Sequence, residues 1–326
     1  MQDRMAKFTL LTGPGEPYLY LTLPWVSPHY SDWFTIEPYD SAKTYSTQDS
    51  AILIDYVEQL ERPEWAQQLQ AQGFRIMVEH LGDSDVERTS SVDNGVLTLR
   101  NPNWMWYNAA WEWTWYRHDQ YQPNRAYQHS FLMPMNLQRW HRDRIVKDLE
   151  PLLDTALYSY CAQGRELPGR PPLHIPWRGY MNPDWYDSTP YSVVAESYMR
   201  STNINHGETY RTEVSEKIFK PMLGQQPFVV YGSVDTLAYL KREGFATYDN
   251  LWDETYDATL DNVARFDQVT RVVNYAVETH NYKTFDLDTA TLERIRHNHA
   301  RLFDHATVAQ RFQAEVVGDI LAWWES

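Results

Sequence analysis

TEVSEKIFKPMLGQQPFVVYGS, residues 212–233, joins a helix start to a buried strand, and the rest of the chain is read outward from it. Ser215 fits an N-cap and Glu216 and Lys217 fall in the first turn. Ile218, Phe219, Met222 and Leu223 then recur at helical spacing. FVVYGS follows as a strand apolar on both faces. A helix N-terminus offers free N–H groups to an anion, the lysine adds a point charge, and the glutamate can accept ribose hydroxyls. On these residues alone two readings stand: a capping turn with a solvated ion pair, or contact with a nucleotide sugar.

The neighbouring segments alternate between strand and helix. Upstream, FLMPMN reads as a strand, RWHRDRIVKDLEPLL as a helix, LYSYC and YSVVAES as strands, and residues 164–190, rich in Gly, Pro and aromatics, as a long loop. Downstream, SVDTLAYLKREG is a helix closed by Gly244. VARFDQVTRVVNYAVE and LERIRHNHARLF are amphipathic, and the last helix is expected to pack back on the body. In the N-terminal part, YLYLTLPW from Tyr18 reads as a strand and the stretch to Asp49 as irregular. AILIDYV, a helix from Pro63 stopped by Gly73, and FRIMVE then form a βαβ unit with Glu79 and His80 at its carboxyl end. GVLTLRN is another strand, WMWYNAAWEWTWYRHDQYQP is the most aromatic run, and Pro123, Asn124 and Arg125 look like a linker. The expected fold is α/β: two Rossmann-like βα domains facing a cleft, residues 1–125 on the acceptor side and 126–290 on the nucleotide-sugar side, with C-terminal helices over 291–326.

Lys plus Arg number 29 against 44 Asp plus Glu, a formal charge of −15, which disfavours duplex DNA as the main partner. The single cysteine, Cys161, excludes an internal disulfide and suits a reducing compartment. With neither a signal-peptide core nor an apolar run of the ~20 residues a bilayer demands, a cytoplasmic protein is expected. The 14 Trp and 23 Tyr suit carbohydrate rings as well as ordinary cores.

Five pieces, in order, resemble the α1,3-fucosyltransferase family. MVEHL resembles its Phe-Glu-Ser-Pro element, and WTWYRHD (Trp113 to Asp119) its Trp-Thr-x-x-Tyr-Arg-x-Asp element. FLMPMNLQRWHRDR resembles the segment opening the donor domain, AESY its Phe-Glu-Asn-Ser, and VSEKIFKPMLGQQPFVVYGS its Thr-Glu-Lys segment and following strand. Together they span roughly residues 75 to 233. The chain departs from the pattern at His80-Leu81, by one residue fewer between Thr114 and Tyr116, at Glu213, and at Ser197. The resemblance implies a GT-B-type, metal-independent enzyme of a bacterial or viral type lacking the family's membrane anchor. It also implies Glu79 as general base, and a GDP-sugar, GDP-fucose favoured over UDP-sugars, as donor with no further cofactor.

Inverting glycosyl transfer needs a group to take the acceptor proton and cations to hold the departing diphosphate. Glu79 is the candidate base, with His80 and Glu112 as rivals. Arg142, Arg139 and Lys217 are the phosphate candidates, the two arginines reading otherwise as a solvated basic helix face, and Asn136, Glu196, Ser215 and Glu216 complete the expected donor set, with Glu196 either binding sugar or ribose hydroxyls or ending a strand in a hydrogen-bond network. His80, Tyr116, Arg117 and Asp119 are expected on the acceptor side or in the cleft. Lys217, as an exposed first-turn lysine, is expected to matter little for stability. Asp83 to Asp85 and Asp286 to Asp288 match Asp-x-Asp, but one lies in a charged loop and the other before a helix, where acids cap, so neither is read as a metal site. His297-Asn298-His299 lies within a helix and is not read as a nuclease motif. The expected function is transfer of a sugar to a glycan hydroxyl. The alternatives are a phage-type transferase acting on hydroxymethylated DNA bases and an inactive glycan-binding protein using the aromatic run.

Overall fold

The structure, a computed structural model, describes residues 7–13, 27–56, 64–80, 89–93, 96–100, 103–169, 181–197, 199 and 214–326. The chain divides into two compact units, Met1–Trp111 with His305–Ser326, and Glu112–Asp304. The division falls at Glu112 where residue 125 was expected, and only the last part of 291–326 joins the first unit.

The first unit holds β1 (Phe8–Thr12), β2 (Phe34–Pro38), β3 (Ser50–Tyr56), α1 (Glu64–Ala71), β4 (Arg75–His80), β5 (Thr89–Asp93) and β6 (Val96–Arg100). Its sheet order is β2-β1-β3-β4-β6-β5, parallel except for the antiparallel pair β5 and β6. The expected βαβ unit is present, with Ile52 opposite Ile76 and Asp55 opposite Glu79. Leu11, Ile52, Ala66, Leu69, Phe74 and Ile76 form one buried cluster that seats α1 on the sheet. Three strands were not expected, one of them β5, TSSVD, at the edge of the sheet. FTLLT gives β1, and FTIEP, with only Phe34 buried, gives the short edge strand β2 within the stretch read as irregular. The strand expected from Tyr18 lies outside the described residues.

The aromatic run forms a helix, α2 (Trp104–Trp115), which crosses the division between the units. Trp106, Tyr107 and Trp113 are at most 1% exposed, so these rings belong to the core.

The second unit alternates β7 (Leu132–Met135), α3 (Trp140–Asp148), β8 (Leu157–Tyr160), α4 (Pro183–Asp187), β9 (Ser192–Ala195), α5 (Glu216–Leu223), β10 (Phe228–Tyr231) and α6 (Thr236–Arg242). Two long helices follow, α7 (Asn262–Thr279) and α8 (Thr289–Leu302). Its sheet is fully parallel in the order β10-β9-β7-β8. β9 and β10 are buried throughout, as a sheet covered on both faces requires. From β7 the chain moves one way to β8, then returns to place β9 and β10 on the other side. The strand order therefore reverses between β7 and β9, the place where open α/β sheets bind ligands beyond their carboxyl ends.

The segment expected as a linker is fixed within this unit. Asp187 accepts from Tyr121 Oη at 2.6 Å and from the Asn124 amide at 2.8 Å, and Arg125 donates to the Gln225 carbonyl. Asp288 is the N-cap of α8, accepting from the Thr291 amide at 2.6 Å, as its position before a helix indicated. The His-Asn-His run does point three ways: His297 to the Gly244 carbonyl, Asn298 to Ala246, and His299 towards Phe303.

The chain returns to the first unit through α9 (His305–Phe312), a π-helical turn over Gln313–Val317, and α10 (Gly318–Glu325). Trp324 stacks on Phe8 with centroids 4.1 Å apart, and Arg75 Nη1 donates to the Trp323 carbonyl at 2.8 Å. The terminal helix thus packs back on the first sheet as expected, with a cation at its carboxyl end. In the π turn, Glu315 accepts from Tyr107 at 2.7 Å and from Arg311 at 2.8 Å, tying α2 to α9. Among the described residues no helix is long and apolar enough to cross a membrane.

Candidate functional site

A cavity of about 340 Å³ opens where the second sheet reverses its strand order. Its floor is the carboxyl end of β7 with Asn136 and Leu137, and the end of β9 with Ala195 and Ser197. Its walls carry Arg139 and Arg142 from the start of α3 and Glu216, Lys217, Lys220 and Pro221 from α5. The geometry follows from local sequence. Met135 and Ala195 end buried strands, and just beyond them Asn136 and Ser197 reach the cavity, with side chains from the first turns of α3 and α5 beside them.

α5 is capped as its sequence indicated: Ser215 Oγ accepts from the Lys217 amide at 3.3 Å. The same hydroxyl donates to Glu196 and accepts from Lys217 Nζ at 3.2 Å. Lys217 Nζ also donates to Ser197 Oγ at 3.0 Å and to Glu216 Oε1 at 2.9 Å, which uses all three ammonium protons. Lys217 is therefore not the exposed surface lysine expected; its side chain is 26% exposed and knits four residues together.

Glu196 is fully buried and does not line the cavity. Its carboxylate accepts from the Ser215 amide at 3.3 Å and the Ser197 amide at 3.2 Å. Burial raises its pKa, and the nearby Lys217 charge pulls in the opposite direction. Its place is behind Ser215, orienting that residue and Lys217, which matches the second of its two readings, a strand end held in a hydrogen-bond network.

Arg142 is likewise more constrained than a free phosphate ligand. It is 3% exposed, with Nη1 donating to the Leu137 carbonyl at 3.0 Å and Nη2 to those of Ala195 at 3.2 Å and Glu196 at 2.9 Å. It gathers the ends of the two floor strands and contributes a fixed positive charge, with Nε lacking a partner. His141 assists: burial holds its pKa down to about 4, so the neutral ring donates Nε2–H to the Glu196 carbonyl at 3.0 Å. Arg139 occupies the N-cap position of α3, in extended backbone, and faces the cavity.

The cavity thus brings together Asn136, Arg139, Arg142, Glu216 and Lys217, with Ser215 and Glu196 supporting from behind. It does not include Tyr116, Arg117 or Asp119. These sit in the turn after α2, where Arg117 adopts φ 61° and donates to Gln120 at 3.0 Å, and Tyr116 is 38% exposed beside His118. Glu79 and His80 end β4 in the first unit, at the carboxyl edge of that sheet; their side chains lie outside the described residues, as does Asp83 to Asp85. Sequence reasoning missed Lys220 and Trp185. Lys220 could have been found from its i+3 spacing to Lys217, which puts both on one helix face. Trp185 follows a stretch outside the described residues and carried no periodic signal.

No family model and no curated protein matches the chain. Among solved structures it is similar to α1,3-fucosyltransferase crystal structures. One, with GDP-fucose, shows 8% identity and a TM-score of 0.39 over 93% of each chain. Another shows 9% and 0.43 over 94% of each. A third, with GDP, shows 10% and 0.41 over 94% of this chain and 93% of that one. The likeness is distant, and the chemistry assigned below rests on the cavity.

Proposed function

We propose that the chain is a glycosyltransferase whose second unit binds a nucleoside diphosphate sugar, with inverting transfer to a glycan hydroxyl. What carries this reading is a single arrangement: four cationic side chains, Arg139, Arg142, Lys217 and Lys220, line one cavity beside a helix N-terminus at the reversal point of a parallel sheet. A diphosphate fits that charge pattern, the helix end adds to it, and Glu216 at the wall is placed to accept hydroxyls. With cations to meet the leaving charge, the reaction is proposed to run without a metal. Fucose is the favoured sugar and guanosine the favoured nucleoside, both on the sequence resemblance. Glu79, at the carboxyl end of β4, is proposed as the base that takes the acceptor proton.

A thermal-shift panel of GDP- and UDP-sugars tests the reading. A ligand at 100 times its dissociation constant stabilises by about 2.7 kcal/mol, so a genuine donor raises the melting temperature clearly. No shift with any nucleotide sugar would overturn it. The burial of Trp106 and Trp113 weighs against the glycan-binding alternative, and the charge of −15 weighs against DNA.

A further inference from the structure

A second cavity, of about 630 Å³, lies in the second unit and shares no lining residue with the donor cavity. One wall is α7, which brings Gln268, Arg271, Val272 and Tyr275 to it at the i, i+3, i+4, i+7 spacing of a single helix face. The other wall is drawn from residues 249–256, in the connection between α6 and α7. Local bonds hold this connection in shape. Asp253 accepts from the Thr255 amide and from its hydroxyl, each at 2.9 Å, Asn250 Nδ2 donates to Thr291 at 2.7 Å, and Asp249 pairs with Arg294. Trp252 anchors it, its ring meeting that of Tyr191 edge-on at 5.7 Å just before β9.

The lining selects a class of ligand. Tyr275 is 50% exposed, and neither its hydroxyl nor the Arg271 guanidinium has a hydrogen-bond or ion-pair partner among the described residues. Trp252 is 4% exposed, yet its Nε1–H has no partner among the described residues, a buried donor whose desolvation a ligand oxygen would offset. Each Asp253 oxygen keeps a lone pair beyond its bond to Thr255. The formal charges cancel, Arg271 against Asp253 and Asp249 against Arg294. A polyanion gains nothing from such a wall, and a lipid chain would strand its donors and acceptors. A neutral, hydroxyl-rich ring with one apolar face matches it: the face stacks on Tyr275 while the hydroxyls meet Arg271, Gln268 and Asp253. We propose that this cavity is a carbohydrate-binding site for a neutral oligosaccharide. The site goes beyond the proposed transfer reaction and stands whether or not the donor cavity binds a nucleotide sugar.

The test exposes the full chain to a microarray of neutral, sialylated and sulfated oligosaccharides, then measures the affinity of the strongest neutral binder by calorimetric titration. Tyr275→Ala and Arg271→Ala, both at exposed positions of α7, should keep the wild-type melting temperature. Both should bind that oligosaccharide roughly tenfold or more weakly, the loss usual when a central aromatic or arginine contact is truncated. Tyr275→Phe, which keeps the ring, should retain most of the affinity. Wild type that binds no neutral oligosaccharide, or recognises only the sialylated or sulfated ones, overturns the proposal. So does neutral binding that is undiminished in both alanine variants, which would put the glycan elsewhere on the chain. None of these results bears on nucleotide-sugar binding, so the donor cavity is judged separately.

Discussion

Ser215 Oγ stands 3.2 Å from Lys217 Nζ and donates its own proton to the buried Glu196, so one hydroxyl couples a cavity lysine to a carboxylate sealed from solvent. Lys217→Ala therefore has two expected effects. Nucleoside diphosphate binding should weaken by roughly tenfold or more, since a charge-assisted contact contributes about 1 to 3 kcal/mol. The free protein should also lose about 1 to 3 kcal/mol, because Glu196 loses the positive charge that offsets its burial. Calorimetry with GDP and UDP measures the first, and melting without ligand the second. A lower melting temperature with unchanged affinity would make Lys217 a structural residue only.

How much of this was legible depends on where the signal sits. The second unit was read almost element by element, because YSVVAES, SEKIFKPML and FVVYGS carry strong periodicity and Ser215 is a clear cap. The first unit was read in its βαβ part, while β2 was missed because FTIEP is an edge strand with one buried residue. The aromatic run was left open between core and carbohydrate-binding surface. Composition cannot distinguish a stacking platform from a core helix, and Asn108 and Glu112 within it blur the apolar face. Residue identity pointed to Arg142 and Glu196, but only tertiary packing shows that one clamps backbone carbonyls and the other lies behind Ser215.

Gly224 follows α5 at φ −72°, so its backbone would accept any residue. What requires glycine is contact: an added Cβ would lie 2.0 Å from Cδ1 of Tyr186, a ring 3% exposed that also lines the cavity. Gly224→Ala should cost about 1 to 3 kcal/mol and lower nucleotide affinity as Tyr186 shifts. A melting temperature within error of wild type would show that the ring has room to move.

Glu79→Gln should leave nucleotide binding near wild type and lower the transfer rate by ~10²- to 10⁴-fold, the usual cost of losing a general base. Steady-state turnover with calorimetric donor affinity separates the roles. Near-normal turnover would remove Glu79 from the mechanism and bring His80 or Glu112 forward.

Incubation with EDTA should leave transfer intact, because Arg139, Arg142, Lys217 and Lys220 are placed to meet the diphosphate charge. Loss of activity restored by manganese or magnesium would overturn the metal-independent reading.

Glu112 also leaves a mark on stability. Its pKa stands at about 7 in the folded protein against the ordinary 4.5, so between those values the folded state holds more protons than the unfolded one. The stability it contributes is full below about 4.5 and is lost as pH rises through about 7. Glu196, raised by burial, and Asp257, raised to about 6, act in the same direction, so the absolute melting curve cannot isolate Glu112. The difference between wild type and Glu112→Gln can. The glutamine variant lacks this titration, so its melting temperature relative to wild type should climb from pH 5 to pH 8. Each ~1 kcal/mol corresponds to about 2–4 °C for a unit of this size. Melting both proteins across that range checks it, and a constant difference at every pH would mean that Glu112 titrates alike in the folded and unfolded chains.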